Sequence, residues 1–320
     1  MAGQRGQFTV RVKEELAALR PAAPSERRAL LSALLRFAAT LHIGGTVGPR
    51  FTLVVDTESG GVARLAFWLL HERYDVRPDF RVRSPGALSP HSRYQVVLTE
   101  RVERVLAGSG ILDAGGRLVY GVAPGLVRGA AAAACYARGA FLGRGSVSAP
   151  TRAPHLEFGA PEERTAAHLA DLLVRLGLPA RLGARAPDQF RVVLKGGEAI
   201  GRALVTMGAR DAYLAWEDGR IRREVRAEAV RLANADQANL RRSVAAAMAQ
   251  TAAVERALAE VGWAGLPGDL AEVAVLRLAH PEATLAELGS LLDPPRTKAA
   301  VAARLRRLAL LASGRAGAEE

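Results

Sequence analysis

Six basic residues and no acidic one lie between Pro294 and Ala318. Cationic side chains on one helical face, with no carboxylate among them, can pair with phosphates and donate to base edges in a major groove. The elements that would hold them are readable. Thr284-Leu285-Ala286-Glu287 fits the box in which a threonine hydroxyl and a glutamate three residues later cap each other's backbone amides, which predicts a helix start. Asp293-Pro294-Pro295 ends that helix, and Thr297 can cap the next. Val301, Leu305, Leu308 and Leu311 then recur at helical spacing as a buried stripe. Arg296, Ala299, Ala303 and Arg306 fall on the opposite face, flanked by Lys298, Ala302 and Arg307. An apolar helix over about Asp269 to Ala279 completes a trihelical unit. This is the pattern of a helix-turn-helix, in a looser variant because two prolines lengthen the turn. The candidate DNA-contacting set is Arg296, Thr297, Lys298, Ala299, Ala302, Ala303, Arg304, Arg306 and Arg307.

Other chemistry is sparse. The six histidines (His42, His71, His91, His155, His168, His280) show no pair at ligand spacing, and the lone Cys135 excludes an internal disulfide framework or a cysteine-based metal cluster. No cofactor is expected. Asp56 with Glu58, and Glu162 with Glu163, read as acids at helix starts, where they meet the helix dipole favourably, rather than as catalytic pairs. The net charge of +12 and a pI near 10.9 favour a polyanionic partner. Only three basic residues are lysine (Lys13, Lys195, Lys298), and the heavy use of Ala, Arg and Gly resembles GC-rich codon bias, so part of the basicity is compositional. The Ala-rich stretch Gly129 to Leu142 is broken by Arg138 and cannot span a bilayer, so a soluble cytoplasmic protein is expected.

The first two thirds of the chain repeat. Arg28 to Leu112 and Arg128 to Ala209 present the same order of elements, displaced by roughly 100 residues. Each copy opens with an apolar, small-residue helix, from Leu30 and from Ala132. A strand follows (Phe51 to Asp56; His155 to Phe158), then a helix (Gly61 to Arg73; Pro161 to Leu176). Two further strands come next, Asp75 to Arg83 and Arg93 to Leu98, then Ala180 to Ala184 and Gln189 to Leu194. A short helix closes each copy (Glu100 to Ala107; Glu198 to Met207). Tyr94-Gln95-Val96-Val97-Leu98 against Phe190-Arg191-Val192-Val193-Leu194 is the closest local match. The fold class is therefore α+β, a pseudo-twofold repeat domain followed by an all-α helix-turn-helix domain. The expected divisions are an N-terminal strand/helix segment (1–27), repeat 1 (28–125), repeat 2 (126–219), a basic helical connector (220–260), the helix-turn-helix (261–313) and a tail (314–320).

Leu31 to Thr40 and Ala137 to Ser146 resemble degenerate copies of the LAGLIDADG motif of homing endonucleases. That motif packs two helices through small residues, and Ala33 and Gly139 stand where its close-packing glycine would. In active enzymes its second aspartate holds a divalent metal. Ala38 and Arg144 occupy those positions here, so the resemblance implies a nuclease scaffold without the chemistry, and no enzyme.

A LAGLIDADG-like pair followed by a helix-turn-helix resembles the WhiA family, bacterial regulators of sporulation and cell division. Three further stretches carry the likeness: Phe8 to Leu16, the connector Arg231 to Asn239, and Glu287 to Lys298. The resemblance implies a transcription factor for sporulation septation and chromosome segregation genes. It would act on double-stranded promoter DNA at the nucleoid, with a small iron-sulfur partner of the WhiB type in actinobacteria. Asn234, Asp236 and Asn239 read first as a turn or cap at the joint between domains. Two alternatives stand beside this reading: a LAGLIDADG-type endonuclease with a rearranged metal site, and a protein- or ligand-binding module with secondary DNA binding.

Overall fold

The computed structural model describes residues 3–44, 49–85, 92–184 and 189–313. The chain divides into two compact units, Met1–Glu224 and Val225–Glu320.

The first unit opens with α1 (Gly3–Ala18), a helix where the sequence reading expected a strand as well; among the described residues before Arg28 there is no strand, and Val12, Leu16 and Ala17 enter the core. Helix α2 (Pro24–Ala38) begins with a proline in its first turn, where the missing N–H is harmless, and runs directly into β1 (Ala39–Ile43). Then come β2 (Phe51–Thr57), α3 (Gly60–Tyr74), β3 (Asp79–Arg83), β4 (Arg93–Leu98) and α4 (Val102–Gly108). The second copy repeats this order: α5 (Ala130–Arg144), β5 (Gly145–Val147), β6 (His155–Ala160), α6 (Glu163–Arg175), β7 (Arg181–Ala184), β8 (Phe190–Lys195) and α7 (Gly197–Met207).

Each copy carries a four-stranded antiparallel sheet, ordered β1-β2-β4-β3 and β5-β6-β8-β7. Leu53 pairs with Leu98 and Leu156 with Leu194, so the two sheets bury the same register of their central strands. The strands β1 and β5 are additions to the sequence reading, which placed one strand before the second helix of each copy. No intervening residue separates α2 from β1 or α5 from β5; Ala39 and Gly145 switch directly to extended backbone. Across Ala38-Ala39 helix and strand therefore read as one apolar run, while at Arg144-Gly145 the strand is too short to stand out.

The α2–α5 pair is the spine. Both helices are buried almost all round, Leu30, Leu31, Ala33, Leu34 and Phe37 on one and Tyr136, Ala137, Ala140, Phe141 and Leu142 on the other, because each meets its partner helix as well as its own sheet.

Helix α8 (Arg210–Val261) is 52 residues long and crosses from the first unit into the second. Asn234, Asp236 and Asn239 lie inside it and are exposed, so they neither turn nor cap the chain, contrary to the sequence expectation. Each costs only about half a kcal/mol of helix propensity relative to alanine, and the neighbouring Ala, Leu, Arg and Gln residues outweigh that. The second unit continues with α9 (Gly268–Ala279), α10 (Leu285–Ser290) and α11 (Lys298–Leu311) around its own core, which includes Leu270, Val273, Leu288, Val301, Leu305 and Leu308. No helix among the described residues is long and apolar enough to cross a membrane.

Candidate nucleic-acid interface

The three C-terminal helices are fixed by local chemistry. Thr284 Oγ1 accepts from the Glu287 amide (3.3 Å) while the Glu287 carboxylate accepts from the Thr284 amide (2.7 Å), closing the capping box. The Thr284 amide holds the Glu287 carboxyl below the usual carboxylate range. Gly289 closes the turn to the next helix: its carbonyl accepts the Arg296 amide at 2.9 Å, and a Cβ at 289 would collide with the Arg296 carbonyl oxygen. Thr297 Oγ1 accepts from Ala300 N–H at 3.3 Å and starts α11.

Sequence reasoning missed the residue that ties α9 to α10. Arg277 is 1% exposed, and its Nη1 donates to the carbonyls of Ala283 (2.8 Å), Pro281 (3.2 Å) and His280 (3.3 Å). Burial lowers its pKa, yet a guanidinium stays charged over any working pH. The available signal was one arginine inside the otherwise apolar run Val273 to Ala279.

Helix α11 buries Val301, Leu305 and Leu308, with Leu311 half-buried at the edge. Arg296, Lys298, Ala299, Ala303 and Arg306 are exposed, Thr297 is exposed but committed to its cap, and Ala302 is partly buried. Arg304 departs from the expectation. Its side chain is 17% exposed and its Nε lies 3.5 Å from the Asp269 carboxylate of α9, which Arg307 also approaches at 3.3 Å. The segment has no acid of its own, but the fold supplies one from another helix. Among the described residues, Arg296, Lys298 and Arg306 remain without an acidic partner, beside the exposed Ala299, Ala303 and Leu310.

The repeat unit offers a second cationic surface. The outward faces of the two sheets carry Arg81, Arg83, Arg93, Arg181, Arg191 and Lys195 against Asp56, Asp79 and Glu157. The excess charge lies mainly in this unit: 32 Lys and Arg against 21 Asp and Glu up to Glu224, compared with 12 against 11 beyond it.

At the spine, Ala38 and Arg144 are the last residues of α2 and α5. The carboxylates nearby are occupied. Asp56 lies within β2 rather than at a helix start, and binds Arg93 (2.7 Å) and Gln95 (2.9 Å). Glu157 binds Arg191 and His155, each at 3.1 Å, and although burial works the other way, these hydrogen bonds hold its carboxyl below the usual range. Glu162 does stand at the start of α6, where it accepts from Gly121 N–H at 3.2 Å and from the Thr165 hydroxyl. Asp56 and Glu162 are thus not equivalents: the helix-starting counterpart of Glu162 is Ser59, which caps α3 through Val62 N–H. The histidines stay apart, His168 accepting from Val122 N–H at 3.1 Å and His91 lying outside the described residues. Among the described residues no three His, Cys, Asp or Glu side chains gather as metal donors.

A duplicated helix-and-sheet unit joined through small-residue helices, followed by a capped trihelical module with a cationic last helix, is a LAGLIDADG-like repeat domain with a C-terminal helix-turn-helix. The chain belongs to the WhiA family. Family profiles match in order: the WhiA N-terminal LAGLIDADG-like domain over residues 24–112, the WhiA LAGLIDADG-like domain over 133–226 and the WhiA C-terminal HTH domain over 229–312. The "Probable cell division protein WhiA" of Nocardia farcinica is 46% identical over 97% of this chain and 93% of its own length. The protein of that name from Acidothermus cellulolyticus is 42% identical over 97% and 94%. The crystal structure of full-length DUF199/WhiA from Thermatoga maritima covers 95% of this chain and 97% of its own, with a TM-score of 0.56 at 21% identity, a likeness of fold.

Proposed function

We propose that this chain is a non-catalytic, sequence-specific DNA-binding transcription regulator acting in cell division and sporulation septation. One observation carries the reading: the exposed face of α11, where Arg296, Lys298 and Arg306 stand without acidic partners over the small side chains Ala299 and Ala303. Small residues admit the helix closely to a groove floor, and the arginines reach bases or phosphates. In this reading Ala302 lines the same approach, Thr297 sets the helix start, and Arg304 and Arg307 orient the helix through Asp269. The excess charge of the repeat unit supplies sequence-independent attraction to phosphate.

Catalysis is left out because a methyl and a guanidinium occupy the helix ends where hydrolysis would need metal-binding carboxylates, and Asp56 and Glu157 are held by arginines. The protein would work in the cytoplasm on promoter DNA at the nucleoid, alongside a WhiB-type iron-sulfur regulator. Binding isotherms on promoter fragments at several salt concentrations, paired with nicking assays on supercoiled plasmid in Mg²⁺ or Mn²⁺, test both halves. Sequence-selective binding without nicking is expected; metal-dependent cleavage that survives rigorous purification would overturn the reading.

A further inference from the structure

The first unit carries an open cavity of about 920 Å³, walled by α1, by the junction of β2 with α3, and by the start of the second sheet. Helix α1 is held over it at three points. The Thr9 hydroxyl both accepts from Val147 N–H and donates to the Val147 carbonyl (3.0 Å each), Glu14 accepts from Ser59 Oγ at 2.5 Å, and the Glu15 carboxylate accepts the Asp211 and Ala212 amides at 2.8 Å, capping α8.

The charges on the wall do not cancel. Asp56 is held by Arg93, Glu58 shares Arg93 at 3.4 Å, and Glu157 is held by Arg191 and His155. Each carboxylate therefore has a cationic partner, which leaves no free donor set for a metal ion. Two cations, Lys13 and Arg152, have no carboxylate within ion-pair distance among the described residues. Desolvation pushes Lys13 down to about 8, with only the more distant Glu58 opposing. An unpaired ammonium partly drawn out of water costs stability that an apolar side chain of similar length would not, so a cavity that keeps one is suited to an anionic occupant.

We propose that this cavity is a binding site for a small phosphate-bearing molecule of up to mononucleotide size, anchored by Lys13 with Arg152 as the second charge. A phosphate monoester carries close to two negative charges and three strong acceptor oxygens, which match the two unpaired cations. The volume lies within the range of small-molecule sites. Because α1 also caps α8 through Glu15, the anchoring residue and the cap of the helix that runs into the second unit share one rigid element. The inference does not depend on the role proposed for α11.

Calorimetric titration of the full-length protein with inorganic phosphate, pyrophosphate, 5′-AMP and 5′-GMP tests it, alongside Lys13→Met and Lys13→Arg variants. At least one nucleotide should bind with one-to-one stoichiometry, more tightly than inorganic phosphate. Lys13→Met should weaken it by roughly tenfold or more, the worth of one charge-assisted hydrogen bond, without lowering the melting temperature, and Lys13→Arg should recover part of the loss. The proposal fails if no probe binds, or if Lys13→Met binds the probes like the wild type. It also fails if short duplex DNA displaces the nucleotide stoichiometrically, since the cavity would then be a seat for a backbone phosphate.

Discussion

Gly139 on α5 lies against Ala33 on α2 so closely that a methyl on residue 139 would sit 2.8 Å from the Ala33 Cβ and 2.5 Å from the Leu30 carbonyl oxygen. Gly143 repeats the arrangement one turn on, where a Cβ would come within 2.7 Å of Phe37 Cβ. Gly139→Ala would gain up to about 1 kcal/mol of helix propensity but must push apart two helices whose contact involves backbone, at roughly 1 to 3 kcal/mol. Net destabilisation of the first unit is expected, larger for Gly139→Val, and calorimetry reads it. An Ala variant melting above the wild type would mean that the helix pair has slack.

Arg304 and Arg306, two residues apart on α11, should fail differently. Arg306→Ala should leave folding intact and weaken DNA binding by about 1 to 3 kcal/mol with relaxed specificity if it reads a base. If it meets only phosphate, the slope of log affinity against log salt should fall by roughly one. Arg304→Ala should act through lost orientation against Asp269, so Asp269→Asn should reproduce much of its effect. Equal loss of specificity in the Arg304 and Arg306 variants, with Asp269→Asn silent, would put Arg304 back in the groove.

Gly289→Ala should unravel the turn between α10 and α11, because the added methyl meets the backbone oxygen of Arg296 rather than a movable side chain. DNA binding should fall while the nucleotide-sized cavity of the first unit is untouched. Far-UV and near-UV circular dichroism of the variant, with binding isotherms, would register the difference; a fully native spectrum and affinity would contradict it.

Lys13→Met should stabilise the protein at neutral pH. The folded state lowers the Lys13 pKa from 10.5 to about 8, so below about 8 the lysine is protonated in both states and its full desolvation penalty is present. Between about 8 and 10.5 the unfolded chain binds the extra proton, wild-type stability rises with pH, and the advantage of methionine fades. The gain at pH 7 should be on the order of 1 to 3 kcal/mol. Urea melts from pH 6 to 10 measure it, and a gain that grows with pH would reverse the assignment.

What the sequence disclosed followed from how local its causes are. The Thr284–Glu287 box is written in four consecutive residues, and β4 (Arg93–Leu98) has the bounds its apolar pattern predicts. Strand β1 escaped because no breaker marks the end of α2, and β5 because it is only 3 residues long, although Arg144-Gly145 does mark the end of α5. Asn234, Asp236 and Asn239 look like breakers singly but sit in a context of strong helix formers. The buried and exposed faces of α11 were legible from spacing, whereas the Arg304–Asp269 pair joins separate helices and has no linear signature. Arg277 and Lys13 are legible only in three dimensions, since their meaning comes from carbonyls and cavity walls contributed by other elements.

The two copies share a chain, and they have diverged where their sheets face outward. Asp56 with Arg93 and Gln95 on one sheet has no mirror on the other, where Gly159, Gln189 and Arg191 stand at the corresponding register positions. A homodimer of one repeat would present identical surfaces and impose a palindrome on anything lying across both. This covalent pair carries no such constraint, and a single helix-turn-helix follows it. Under the proposed function, a DNA site recognised by one molecule can therefore be directional rather than palindromic, so that binding also fixes an orientation along the duplex.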